Sequence, residues 1–292
     1  MFRHTLRLVM LFSTLLFWTS HVAAENLDKI LQDHWAVANK EQIFFRKDPD
    51  TFRMNGKLPD VSDKGRARRA AFNQSILSRL SKLDPNKMSE ADQVTYALFK
   101  YEREAEAASY KQFDHLFPLN KYAGFHSYFA GAPGNMSFLN LGDYENYLVS
   151  LADFPRFNQD HITNLRAAIA KGYTHYCESF TNYEKTISKH LVEDVTQSVF
   201  YAPIANMPAT ITPDEQSRIT QTARGLITDV VIPEYQRFYI FFTTEYMPNC
   251  RKSVGITALE DGADYYQYLI EYYTTTQLSL IHISEPTRHN AI

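Results

Sequence analysis

The chain has 292 residues, 33 of them acidic and 30 basic, for a formal net charge of −3 at pH 7. Apolar residues make up 45%, while Gly (10) and Pro (12) are sparse, which excludes a disordered or collagen-like chain and gives no basic excess for gripping nucleic acid. Two cysteines are too few for a disulfide-dense scaffold or a four-cysteine zinc site.

Residues 1–24 have the pattern of a secretory signal peptide. Arg3 and Arg7 supply the positive end, Leu8 to Trp18 the apolar stretch, and Val22-Ala23-Ala24 the small residues before a cleavage point at Glu25. The apolar run is well short of the roughly 20 residues a spanning helix needs. No Cys follows the cleavage point, which argues against a lipid anchor. The expected compartment is the periplasm or the exterior, with no membrane association once the signal is removed.

From Glu25 onward the apolar period is helical, and the predicted class is all-α: an irregular multi-helix bundle. The first helix begins at Glu25 and runs toward Phe45. A second spans Arg66 to Leu83, with Phe72, Ile76, Leu80 and Leu83 on one face. Its Arg66, Arg68, Arg69, Arg79 and Lys82 could hold an anion or simply face solvent. Ser89 is a good N-cap for a third helix, with Asp92 at N3, and Val94, Leu98, Tyr101, Ala105 and Ala108 form its expected apolar stripe. Residues 113–137 break the pattern with Pro118, Gly124, Gly131, Pro133 and Gly134. The aromatics Phe117, Tyr122, Phe125, Tyr128 and Phe129 in this loop either pack over a core or line a cleft.

Asp143 to Leu151 reads as a short helix, and Phe157 to about Val192 as a longer helical region. Residues 200–207 are irregular. Thr212-Pro213-Asp214-Glu215 is the strongest local signal, a capping box with Pro at N1. That helix is expected to run toward Tyr246, burying Ile219, Ala223, Leu226, Ile227 and Val230, with a kink or break at Pro233. Asp261 to Tyr273 is a last, tyrosine-rich helix.

Catalytic motifs are scarce. No His is followed by Glu, so the HExxH zinc pattern is absent, as are a phosphate loop and a nucleophile elbow. His175 with Glu178, and His190 with Glu193, repeat an i, i+3 spacing that could build a metal site in a bundle or could be ordinary polar pairs. Cys177 and Cys250 could pair if their Cα atoms come within about 7 Å. No catalytic or metal residue is assigned to this chain.

Leu278 to Arg288 (LSLIHISEPTR) has no helical period. It reads as the in-frame translation of a transposon-type sequencing adapter, and the frame continues through Ile292. Three segments are therefore expected: a signal peptide (1–24), a natural helical region (25–277) and an adapter-derived tail (278–292).

The helical region resembles the bacterial domain-of-unknown-function 885 family of secreted proteins. The stretches that carry the resemblance are LPDVSDKGRARR (58–69), FPLN (117–120), DYENYLVSL (143–151), FYAP (200–203), MPATITPDEQSR (207–218) and SVGITALEDGADYYQYLIEYYTTT (253–276). The last is the most specific. The family is similar to gluzincin-type zinc metallopeptidases, with its presumed active site in a C-terminal half that this chain does not contain. The resemblance implies that 25–277 is the N-terminal half of a larger, mostly helical metallopeptidase-like fold. It implies zinc and a peptide-like substrate for the longer parent, no cofactor in this chain, and the missing C-terminal half as partner. The competing expectation is a self-contained helical binding or structural module.

Overall fold

The computed structural model describes residues 26–41 and 56–278. The signal-peptide and adapter expectations fall outside these residues, apart from Leu278, as does the end of the first predicted helix beyond Glu41. The described residues form helices and turns, and their only β pairings are the isolated bridges Leu119↔Gly124 and Tyr176↔Arg251. The protein is all-α. No described helix is long and apolar enough to cross a membrane.

Among the described residues, three apolar clusters organise the chain. The first unites α1 (Leu27–Glu41), α2 (Asp63–Leu80) and α3 (Glu90–Ser109) around Leu27, Ile30, Ile76, Leu80, Tyr96 and Phe99. Ser62 caps α2 by accepting from the Gly65 N–H, and Ser89 caps α3 by accepting from the Asp92 N–H. The predicted stripe of α3 is not the buried one. Tyr96 and Phe99 point inward, whereas Val94, Leu98 and Tyr101 are 60%, 61% and 44% exposed. Tertiary packing chose the aromatic pair one step around the helix.

The largest cluster is built on α4 (Phe125–Gly131), α5 (Leu141–Ala170), α6 (Glu184–Ser188), α7 (Ala202–Ala205), α8 (Pro213–Leu226) and α9 (Ile232–Phe241). Here two expectations are corrected. The predicted short helix 143–151 is part of one 30-residue helix, α5, which passes through Pro155 without ending. Proline in a helix interior costs about 3 kcal/mol. Burial of Tyr147, Leu151, Phe154, Phe157, Ile162 and Leu165, about 1.5–3 kcal/mol for each large side chain, outweighs that cost. Past Ala170 the expected helix to Val192 gives way to turns, with only α6 helical in the α sense. The loop 113–137 is likewise not structureless, since it contains α4.

The second correction concerns Pro233. The chain from Pro213 to Tyr246 runs on as helix through two π turns, Ile227–Val231 and Phe242–Tyr246. Pro233 sits in the first turn of α9, just after a π turn, where the wider winding tolerates a missing donor. The π turn also shifts the buried set, so that Val231 rather than Val230 is in the core.

The third cluster (Phe113, Leu116, Ala168, Tyr173 and Tyr265) seats α10 (Gly262–Thr274) against the end of α5. A Cβ on Gly262 would lie 2.0 Å from the Ile256 carbonyl oxygen, so this close approach requires glycine.

Candidate functional site

A groove of about 680 Å³ lies between α3 and α10, two parts of the chain far apart in sequence. Its walls include Tyr101, Glu106, Asp114, Phe117, Tyr268 and Tyr272. The α3 wall is fixed from below. Arg66 donates to the Ser109, Tyr110 and Gln112 carbonyls at 2.9–3.2 Å, satisfying the free acceptors at the C-terminal end of α3. Tyr265 fixes the α10 wall, packing at a tilt against Phe113 with ring centroids 4.3 Å apart and donating its hydroxyl to the Asp114 carboxylate.

The groove's electrostatics follow from burial. Burial pushes the Asp114 carboxyl above the usual range, against the lowering pull of the Tyr265 hydrogen bond and Arg66. Tyr268 is pushed up to about 12, by burial first and by Asp114 and neighbouring tyrosines next. Tyr265 is raised further, again chiefly by burial. Both phenols therefore remain protonated near neutrality. The groove offers aromatic faces and hydroxyl donors, with Arg103 bound to Glu106 on its floor. Such a surface suits apolar and aromatic polypeptide rather than an anion.

The five loop aromatics singled out in the sequence do not share one cleft. Phe125 and Phe129 are core residues, and Phe129 stacks on Phe154 at 4.1 Å. Tyr122 and Tyr128 are 83% and 52% exposed. Of the five, Phe117 is the one that lines the α3–α10 groove.

The arginine face of α2 is tied into the protein. Besides Arg66, Arg68 pairs with Asp60 at 3.1 Å, Arg69 donates to the Asp60 carbonyl at 2.6 Å, and Arg79 pairs with Asp33 at 2.8 Å. These guanidiniums are engaged with groups of the protein itself and do not form an anion site.

His175 and Glu178 do not share a helix face, because His175 lies outside any helix and Cys177 opens a 3₁₀ turn. His175 Nδ1 instead meets the Tyr246 hydroxyl at 2.5 Å. His190 and Glu193 lie beyond α6, outside any helix. Cys177 and Cys250 are joined in a disulfide with Cα atoms 5.1 Å apart, beside the Tyr176↔Arg251 bridge.

Sequence inspection missed a buried polar layer in the main core. Asn158 donates to the Glu234 carboxylate at 2.7 Å, and His126 Nε2 lies 3.0 Å from the Thr186 hydroxyl. His161 stacks on Phe125 at 4.0 Å, and neither of its ring nitrogens has a hydrogen-bond partner. Burial holds His126 and His161 at about 3 and His190 at about 4, so all three are neutral. No sequence spacing signals this layer, since its members come from α4, α5, α9 and the turn after α6.

Zinc, which the resemblance implies for the parent, does not fit the residues here. Among the described residues no group of three or more His, Cys, Asp or Glu could hold a metal ion.

The fold and its groove define a helical bundle with an open aromatic flank. The family profile described as "Bacterial protein of unknown function (DUF885)" matches residues 45–289, and the chain belongs to that family. No curated protein matches the chain. Among solved structures, a candidate lipoprotein from Colwellia psychrerythraea is similar in fold, with a TM-score of 0.65 at 15% identity. The likeness covers 86% of this chain and 44% of that one, so the chain spans less than half the length of its solved relative.

Proposed function

We propose that residues 25–277 are the N-terminal helical part of a longer, exported family protein. Its parent is a zinc metallopeptidase-like hydrolase acting on a peptide-like substrate, with the catalytic half outside this chain. The observation that carries this is the asymmetry of the structural likeness, which takes in most of this chain and less than half of the solved relative. Export is supported by the pattern of residues 1–24, and the description of the Colwellia protein as a candidate lipoprotein is in keeping with it.

On this reading Leu278 to Ile292 is translated adapter, although the family match extends to residue 289. Sequencing the locus beyond codon 277 and expressing the whole product is the test. An open frame is expected, together with chelator-sensitive peptide hydrolysis by the complete protein and none by the 292-residue chain. Zinc-dependent peptidase activity from the 292-residue chain alone would sink the proposal. A frame that closes after Gln277 would favour a self-contained module, the reading supported by the continuous main core.

A further inference from the structure

We infer that the outer face shared by α3 and α10 is the seat on which the polypeptide following this part in the longer family chain packs. The docking segment is inferred to present an apolar ridge flanked by Lys and Arg. This rests on the proposal that the family chain continues beyond the part described here.

Val94, Leu98 and Tyr101 stand at i, i+4 and i+7 on α3, a spacing that puts them on one face, and all three are exposed. Across the groove, Tyr272 and Tyr273 are 51% and 77% exposed at the end of α10, and Tyr268 and Leu269 line the wall between. Single exposed apolar residues are ordinary, but a regular stripe bordering an aromatic groove marks an interaction surface. The same stripe has the periodicity of a buried helix face, which is why the sequence suggests burial there.

Charge narrows the occupant. Glu102 lines the groove, and Glu104, Asp264 and Glu271 are exposed on the same two helices. The two bases of α3 pair with its own acids, Lys100 with Glu104 at 3.7 Å and Arg103 with Glu102 at 3.8 Å and with Glu106, while α10 carries Asp264 and Glu271 and no Lys or Arg, so the two helices together stay net acidic. A second copy of this face would set acidic rim against acidic rim, which is unfavourable. A basic-flanked segment matches both the ridge and the rim. The matched region of the solved relative lies within a chain more than twice as long, which supplies polypeptide to cover such a face.

The test compares the 292-residue chain with the complete gene product by hydrogen exchange and by zero-length carboxyl-to-amine cross-linking. In the complete product, amides of α3 and α10 are expected to exchange at least tenfold more slowly. Cross-links are expected from Glu102, Glu104 or Glu271 to lysines of the continuation. Leu98→Asp and Tyr272→Asp, both at exposed positions, should abolish that protection, whereas Val199→Asp, an exposed valine elsewhere, should leave it intact. Equal exchange of α3 and α10 in the two proteins would overturn the inference and leave the proposed function standing. A concentration-dependent dimer of the 292-residue chain, lost in Leu98→Asp, would overturn it in favour of a second copy. A frame closing after codon 277 would overturn both.

Discussion

His161 stacks on the face of Phe125, meets Phe157 edge-on and is 8% exposed, a position where an imidazolium would have no counter-charge. His126 and His190 share that predicament, at 0% and 8% exposure. Burial is the chief cause in each, and the folded values of about 3, 3 and 4 lie below the ordinary 6.5. The unfolded chain therefore binds these protons first. Stability from the three sites is complete above pH 6.5 and is lost as pH falls below it. Between pH 7 and 5 each site costs about 2 kcal/mol, together about 6 kcal/mol, a large share of a typical domain's stability. Urea midpoints are expected to drop steeply over that range. His115 and His175, also held down to about 4 by burial, add to the drop, so His161→Phe should remove about a fifth of it, and an unchanged pH slope in that variant would refute the assignment.

At the scale of elements, local chemistry marks helix starts better than helix stops. Thr212 accepts from the Glu215 N–H while Glu215 reaches back to the Thr212 N–H, the reciprocal box that the sequence announces. Thr212→Ala should cost about 1 kcal/mol in equilibrium unfolding with little change in the denaturant slope. Stops are harder to foresee because breakers can be overridden. Pro233 reads as a kink or break, yet the 213–246 rod continues by winding wider, and α5 likewise passes through Pro155 under the weight of its buried aromatics. The outward stripe of α3 was misplaced for a related reason. Periodicity identifies an apolar face, but not which of two neighbouring faces the rest of the protein covers.

For the whole molecule, the link between Cys177 and Cys250 joins the turn after α5 to the end of the 213–246 rod, across 73 residues of sequence. Closing a loop of that length stabilises the fold by about 4 kcal/mol through the unfolded state. The double variant Cys177→Ser, Cys250→Ser should melt about 10 °C lower, with its helical circular dichroism retained at low temperature. An unchanged melting temperature would show that the two sulfurs are not joined in the folded protein. The same link holds the segment leading to α10 beside the main core, so the groove's α10 wall should also become more protease-sensitive in that variant.

The amino-acid sequence by itself determined the all-α class, the caps at Ser89 and Thr212, the tyrosine-rich last helix and the family, because each is written in short-range spacing or in ordered local motifs. Only the tertiary structure decided which apolar residues are covered. It turned Phe125 and Phe129 inward, left Leu98 and Tyr101 outside, and gathered His126, Asn158, His161 and Glu234 into one buried layer. It also decided that Arg66 caps α3 and Arg79 ties α2 to α1, since their acceptors lie more than 40 residues away along the chain. Burial and pairing at such distances depend on how whole helices cross, and no local pattern encodes that.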